Sequence, residues 1–215
     1  TDFANPGSPI RFETANSQRQ APGVTVVNNV IARFGSDGVS YSGESNIAGD
    51  VPAAAVPIAK VVNNTIYGGA SANPSGAAVG IRIENNVQAT LLNNLIVNTP
   101  TGIFVDGTSG QTVVARTYFR DNTVTLDAPN SVTSDLEVPD NASNLLFVNP
   151  AADNFYLAGD TVPGDGVFDG ALPIDRSLSD IDDRTIFVAV KSDLGIPASD
   201  VLSPSTDLYG QTRED

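Results

Sequence analysis

Two acidic residues, Glu84 and Asp106, stand 22 positions apart and close two segments that superimpose without gaps, Gly80-Ile81-Arg82-Ile83-Glu84 and Gly102-Ile103-Phe104-Val105-Asp106. Each segment alternates apolar and polar residues, as a half-buried strand does when successive side chains face opposite ways. On neighbouring strands the two carboxylates would lie about 4.8 Å apart on the outward face. Like charges so placed are destabilising unless a cation or an Arg lies between them. Ca2+ is the candidate ion, because it is hard and takes several carboxylate and carbonyl oxygens. Arg82 aligns with Phe104 on the same face, and this pairing of a cation with a ring is the candidate carbohydrate-binding surface. The plainer alternative is a pair of solvated acids with Arg82 bound to one of them. The aligned residue in Gly38-Val39-Ser40-Tyr41-Ser42 is Ser42, so no third carboxylate falls in register.

A second acidic group, Asp160, Asp165 and Asp169, lies within a Gly-rich stretch, residues 159–170. Glycines between spaced aspartates let a loop wrap oxygens around a metal, again Ca2+, although the spacing is not that of an EF-hand. Asp-Gly turn formation explains the same residues without a metal. A further run holds Asp180, Asp182 and Asp183. The chain contains no His and no Cys. That removes the commonest general base and metal ligand, thiolate chemistry and disulfides. Glycoside hydrolysis needs two carboxylates at a fixed separation, which spacing along a chain does not set.

These residues need a repeating scaffold to hold them. The pattern Asn-Asn-x-Ile occurs three times after a short apolar run, as Val26-Val27-Asn28-Asn29-Val30-Ile31, Val61-Val62-Asn63-Asn64-Thr65-Ile66 and Leu91-Leu92-Asn93-Asn94-Leu95-Ile96. Phe119-Arg120-Asp121-Asn122-Thr123-Val124 reads as a degraded fourth copy. Repetition at this interval marks a stacked architecture. The Gly-headed segments supply a further strand per repeat, with Val39, Tyr41, Ile81, Ile83, Ile103 and Val105 facing inward. The spacing predicts coils of a parallel β-helix, with the longer intervals absorbed by Gly-, Pro-, Ser- and Ala-rich loops at 44–57 and 68–78. Asn tolerates the unusual backbone angles of a tight corner, and its amide both donates and accepts. Equivalent Asn residues on stacked coils are therefore expected to form a side-chain ladder, one of each pair pointing inward and the other outward.

Residues from about 24 to 126 resemble the right-handed parallel β-helix repeats of many secreted bacterial proteins, the pectin-lyase-like architecture. The C-terminal part is similar to the tails of large planctomycete-type bacterial surface proteins. The similar stretches are Leu146-Phe147-Val148-Asn149-Pro150-Ala151-Ala152, Asn154-Phe155-Tyr156-Leu157, Ile174-Asp175-Arg176-Ser177-Leu178, Asp182-Asp183-Arg184, Leu194-Gly195-Ile196-Pro197 and Asp207-Leu208-Tyr209-Gly210-Gln211-Thr212-Arg213. The first resemblance implies a solenoid that hosts lyases, hydrolases, adhesins and inert stalks alike. Polysaccharide lyases of that architecture use a calcium with a basic residue that abstracts a proton beside a uronate carboxylate. Arg82, Lys60, Arg116 and Arg120 are the basic residues available, and no complete lyase motif accompanies them.

Residues 1–134 carry 9 acids and 7 bases, a balance of −2, and residues 135–215 carry 16 acids and 4 bases, a balance of −12, which together give the net −14. Such a surface repels nucleic acid and anionic lipid. No apolar run is long enough to cross a membrane, so membrane insertion is not expected. The abrupt ends read as those of a fragment of something longer. The expected organisation is an all-β chain: a lead-in or partial first coil at 1–23, a right-handed parallel β-helix at 24–134 and an irregular acidic C-terminal cap at 135–215. Within the cap, strands are expected at 144–148, 154–157 and 185–191 and a short helix at 177–183. The expected function is that of a non-catalytic extracellular structural or adhesive module of a larger bacterial surface or secreted protein. Its partners would be polysaccharide or cell-surface components, or further copies through the solenoid ends. The alternative is a carbohydrate-active, lyase-like or carbohydrate-binding β-helix. Besides Phe104, its aromatic candidates are Phe34, Tyr67, Tyr118 and Phe119, each of which core packing explains equally well.

Overall fold

A computed structural model describes residues 10–13, 24–43, 58–69, 78–85, 87–109, 112–134, 136 and 146–157. Strands follow one another in triplets. They are β2 (Val24–Val27), β3 (Val30–Ala32) and β4 (Asp37–Ser42); β5 (Ile58–Val62), β6 (Thr65–Tyr67) and β7 (Val79–Glu84); β8 (Gln88–Leu92), β9 (Leu95–Val97) and β10 (Thr101–Val105); and β11 (Val113–Ala115), β12 (Tyr118–Arg120) and β13 (Val124–Asp127). β1 (Ile10–Glu13) precedes them and β14 (Val132–Ser134) follows. Every third strand pairs in parallel, giving sheet A (β1-β4-β7-β10-β13), sheet B (β2-β5-β8-β11-β14) and sheet C (β3-β6-β9-β12). This is a parallel β-helix whose coils run from sheet B through C to A. The expected all-β solenoid is therefore observed, with each coil covering the next.

Period-two alternation decides what the coils enclose. Val39, Tyr41, Ile81, Ile83 and Ile103 are fully buried and Val105 nearly so, in one core with Val61, Ile66, Leu91, Ile96 and Phe119. In sheet A, Val39 pairs with Ile81 and Tyr41 with Ile83, while Ile81 pairs with Ile103 and Ile83 with Val105. The 22-residue coil is thus the true register.

The corners explain the Asn pairs. The first member sits at positive φ: Asn28 at 56°, Asn63 at 55° and Asn93 at 53°. That conformation crowds Cβ against the carbonyl in most L-residues and is best tolerated by Gly and Asn. The turn aims the second member into the stack. The Asn64 Oδ1 accepts from the Asn29 backbone N–H (3.0 Å) and Nδ2 (3.1 Å), and the Asn94 Oδ1 accepts from the same two groups of Asn64, each at 3.1 Å. The Asn64 Nδ2 also donates to the carbonyls of Val26 and Val62, and the Asn94 Nδ2 to that of Val61. The second Asn is therefore the inward one, and the ladder gives acceptors to the corner N–H groups of Asn29 and Asn64.

In the fourth coil this corner is Arg116-Thr117, with Arg116 at φ 45° and the Thr117 hydroxyl donating to the Ala115 carbonyl. The expected fourth copy, Asp121-Asn122, lies instead at the corner between sheets C and A, one rung from Asn98-Thr99. The same backbone turn occurs there, with Asn98 and Asp121 both at φ 55°, so it selects the same residue types. The Asn122 Oδ1 accepts from the Thr99 N–H and hydroxyl, a second and shorter ladder.

The glycines that head the sheet A strands answer a different demand. A Cβ on Gly38, Gly80 or Gly102 would meet the carbonyl oxygen of the next coil at 2.7, 2.5 and 2.4 Å, and Ile66, Ile96 or Phe119 from inside at under 3 Å. Close approach between coils and to the sheet C side chains leaves no room for one.

Beyond β14 the chain forms an antiparallel hairpin of β15 (Phe147–Asn149) and β16 (Asn154–Leu157), near the strands expected at 144–148 and 154–157. It lies along the side of the stack. Leu146, Phe147 and Phe155 pack on the outward residues of sheet C, Tyr67, Leu95, Val97 and Tyr118. Tyr67, Phe147 and Phe155 form an aromatic trio with centroids 5.4 to 5.9 Å apart. At the hairpin turn Arg33, from the first coil, donates to the Pro150 and Ala151 carbonyls and pairs with Asp153 at 3.0 Å. The loops at 44–57 and 70–77, the helix expected at 177–183 and the strand at 185–191 lie outside the described residues.

Candidate functional site

The outward face of sheet A carries the polar residues singled out above. Phe104 pairs with Arg82 across β10 and β7, and Glu84 pairs with Ser42 across β7 and β4. Arg82 leans over its neighbour, with its guanidinium carbon 5.1 Å from the centre of the Phe104 ring. Its Nε donates to Asp37 Oδ2 at 3.0 Å and its Nη1 to Glu84 Oε1 at 3.1 Å. Asp37 is anchored in turn, its Oδ1 accepting from the Val79 N–H. Burial works to lower the Arg82 pKa, but the hydrogen bonds and charges of Asp37 and then Glu84 outweigh it, so the group is held above its usual range.

Glu84 and Asp106 reach neighbouring rungs, yet their carboxylates turn to different partners. Glu84 faces Arg82. Asp106 Oδ2 accepts from the Asn85 N–H at 2.7 Å, and its Oδ1 accepts from the N–H and hydroxyl of Thr108 and from the N–H of Ser109. Asp106 thereby caps the 3-10 turn Gly107–Ser109 and ties it to the corner of the coil below. Burial favours its neutral form, but these hydrogen bonds outweigh that effect and hold its pKa below the usual carboxylate value. The arrangement is a carboxylate stabilised in charged form by protein donors.

The candidate bases are spread over different parts of the stack. Arg82 is on sheet A and Lys60 is on β5 of sheet B. Arg116 occupies a corner, and Arg120 is on β12 of sheet C, 3.6 Å from Asp121. Only Arg82 joins the Glu84–Asp106 neighbourhood. The aromatic candidates divide the same way. Phe34 and Phe119 lie in the core and Tyr67 and Tyr118 against the hairpin, which leaves Phe104 on the sheet A face. Asp160, Asp165 and Asp169 lie outside the described residues. Among the described residues no three of His, Cys, Asp and Glu come together to hold a metal, and no helix is long and apolar enough to cross a membrane.

Asp37 is the member of this cluster that repeat reasoning missed. It precedes Gly38 as Val79 precedes Gly80, and a charged residue where the aligned copy is Val was the available signal. The capping role of Asp106 was written in Asp106-Gly107-Thr108-Ser109, an acid followed by residues that close a turn back on it. A shallow cleft of 190 Å³ lies apart from this network, at the corner between sheets C and A, with Phe34, Gly68, Asn98 and Pro100 in its wall. It is smaller than a typical small-molecule site. No family model, no curated protein and no solved structure matches this chain.

Proposed function

We propose that the chain is a non-catalytic structural or adhesive β-helix module of a larger bacterial surface or secreted protein, working outside the cell. The observation that supports this reading is the mutual neutralisation on sheet A. Asp37, Arg82 and Glu84 compensate one another, and Asp106 spends both carboxylate oxygens on protein donors. Acid–base catalysis needs a group poised to exchange a proton at the working pH, whereas Arg82 and Asp106 are stabilised in their charged forms. The resemblance of the repeats to secreted pectin-lyase-like proteins, and of the tail to bacterial surface proteins, supports the location. A screen over acidic polysaccharides for unsaturated or reducing ends tests it, with silence expected. Turnover that disappears in Arg82→Ala would overturn the reading.

A second reading is favoured by one observation, the Arg82 guanidinium stacked on Phe104 on an outward sheet face. A ring beside a charged donor suits an acidic sugar, whose apolar face lies on the ring and whose carboxylate meets the guanidinium. Affinity electrophoresis in gels containing acidic polysaccharide tests it. Retardation lost in Phe104→Ala supports binding at this place, and unchanged migration of the parent protein removes the reading.

A further inference from the structure

Among the described residues the two ends of the stack are stepped, and in sheets A and B the steps are complementary. At the N-terminal end sheet A runs one strand further than sheets B and C, because β1 pairs with β4 while β2 and β3 are edge strands. At the C-terminal end sheet B runs one strand further, because β14 pairs with β11 while β13 and β12 are edges. We infer that the N-terminal end of one copy seats on the C-terminal end of another, so that the joining coil takes its sheet A strand from β1 of one copy and its sheet B strand from β14 of the other. In that register β1 lies on β13, and β2 lies on β14, each in the parallel sense already used between coils. The contact continues the coil-to-coil interface in sheets A and B, while the joining coil has no sheet C strand among the described residues. It deepens the structural reading proposed above, on which it rests for its use and not for its geometry.

The Asn ladder points the same way. Within the stack, Asn29 and Asn64 each donate a backbone N–H to the Asn oxygen of the next coil. The oxygens of Asn64 and Asn94 each accept a backbone N–H and an Nδ2, whereas among the described residues nothing donates to the Oδ1 of Asn29, on the first of these rungs. At the other end Leu136 follows β14 at the place that Thr117 holds after β11, and it packs against the core. Stacking would bring the Leu136 N–H of one copy to the Asn29 Oδ1 of the next. Edge-strand side chains are exposed at both ends: Val27 and Val30 are 38% and 37% exposed at one, and Val124 is 43% exposed at the other. Edge strands left in this state are templates for pairing.

The test uses the whole chain and a charge on either edge, Val27→Lys at β2 or Thr133→Lys at β14, both at exposed positions. Sedimentation velocity of the parent protein, over a range of concentration and with salt added to screen the net −14 charge, should show growing linear oligomers. Their axial repeat in electron micrographs should be about 24 Å, five rungs of 4.8 Å. Each variant alone should sediment as a monomer with an unchanged melting temperature, and an equimolar mixture should give a one-to-one dimer and nothing larger, since each copy keeps one good end. A parent protein that stays monomeric at every salt concentration overturns the inference, as does a variant that still assembles alone. The polysaccharide screen is independent of these outcomes. Assembly with turnover would therefore sink the structural reading alone, and a silent monomer would sink only this one.

Discussion

Truncating the ladder residues to alanine should separate positions that look equivalent in the sequence. In Asn64→Ala, the Asn29 N–H loses its acceptor. The Val26 carbonyl keeps its place in the sheet B ladder, the Val62 carbonyl keeps the Asn28 N–H, and the Asn94 oxygen keeps the Asn64 N–H. One main-chain group is thus orphaned, at about 1–3 kcal/mol. In Asn94→Ala the orphan is the Asn64 N–H, while the Val61 carbonyl stays in the same ladder, so the expected loss is the same. In Asn29→Ala the Asn64 oxygen still receives the Asn29 N–H, and the Val27 carbonyl it releases is at an exposed contact. That loss should stay below about 1 kcal/mol. Against the 5–15 kcal/mol typical of a whole domain, the first two losses are large. Urea unfolding of the three variants, read as midpoints at constant slope, gives the comparison. Equal losses at all three positions would refute the claim that orphaned backbone groups, rather than the amides themselves, set the cost.

Four further outcomes are expected. Gly102→Ala, a change that often stabilises by limiting the unfolded chain, should here lower the unfolding midpoint by about 1–3 kcal/mol or more, because the new methyl would stand 2.4 Å from the Thr125 carbonyl. Asp106→Asn should be destabilising at neutral pH by about 1–3 kcal/mol. Since the Asp106 pKa is depressed in the folded protein, its stabilisation is full above the unfolded value near 3.9. It fades as pH falls through the folded pKa, so melts of parent and variant should converge in acid. Phe147→Ala should free the hairpin without unfolding the coils, seen as faster hydrogen exchange in the outer strands of sheet C and proteolysis near residue 150. Arg33→Ala should change the melting temperature little, because its ion pair with Asp153 is 47% and 66% exposed.

Much of the fold is legible in residue spacing, because a parallel stack carries each strand's alternation onto the next. Val39, Ile81 and Ile103 could be aligned and assigned to the core from their Gly-headed segments alone. The corners are less transparent. The corner between sheets B and C, and in three of the four coils that between C and A, begins with a residue at positive φ, so Asn-Asn chemistry marks a kind of turn and not its place. Asp121-Asn122 was read at the wrong corner for that reason. The direction of each Asn pair depends on which member takes the positive φ, a property of the closed coil. At the candidate site, spacing brought Glu84 and Asp106 to adjacent rungs. Side-chain torsions then chose Arg82 for one and the Asn85 and Ser109 amides for the other. The apolar run around Leu146 and Phe147 announced burial, but nothing in it named sheet C as the partner.

The hairpin turn held by Arg33 joins residues 117 and 118 positions apart in the chain. Coils that touch only their neighbours can form in order as the chain leaves the ribosome, and the first coil would be complete before the fourth was made. Arg33 cannot meet its partners until the chain has grown past residue 153. Among the described residues, the last contact made during synthesis therefore closes on the first coil made. Closing a loop of that length adds an entropic term that rises only with the logarithm of its length, yet it delays the step until the rungs between are in place. Maturation would then show a late phase, in which the aromatic stripe of sheet C passes from exposed to covered and the first coil loses its freedom to fray.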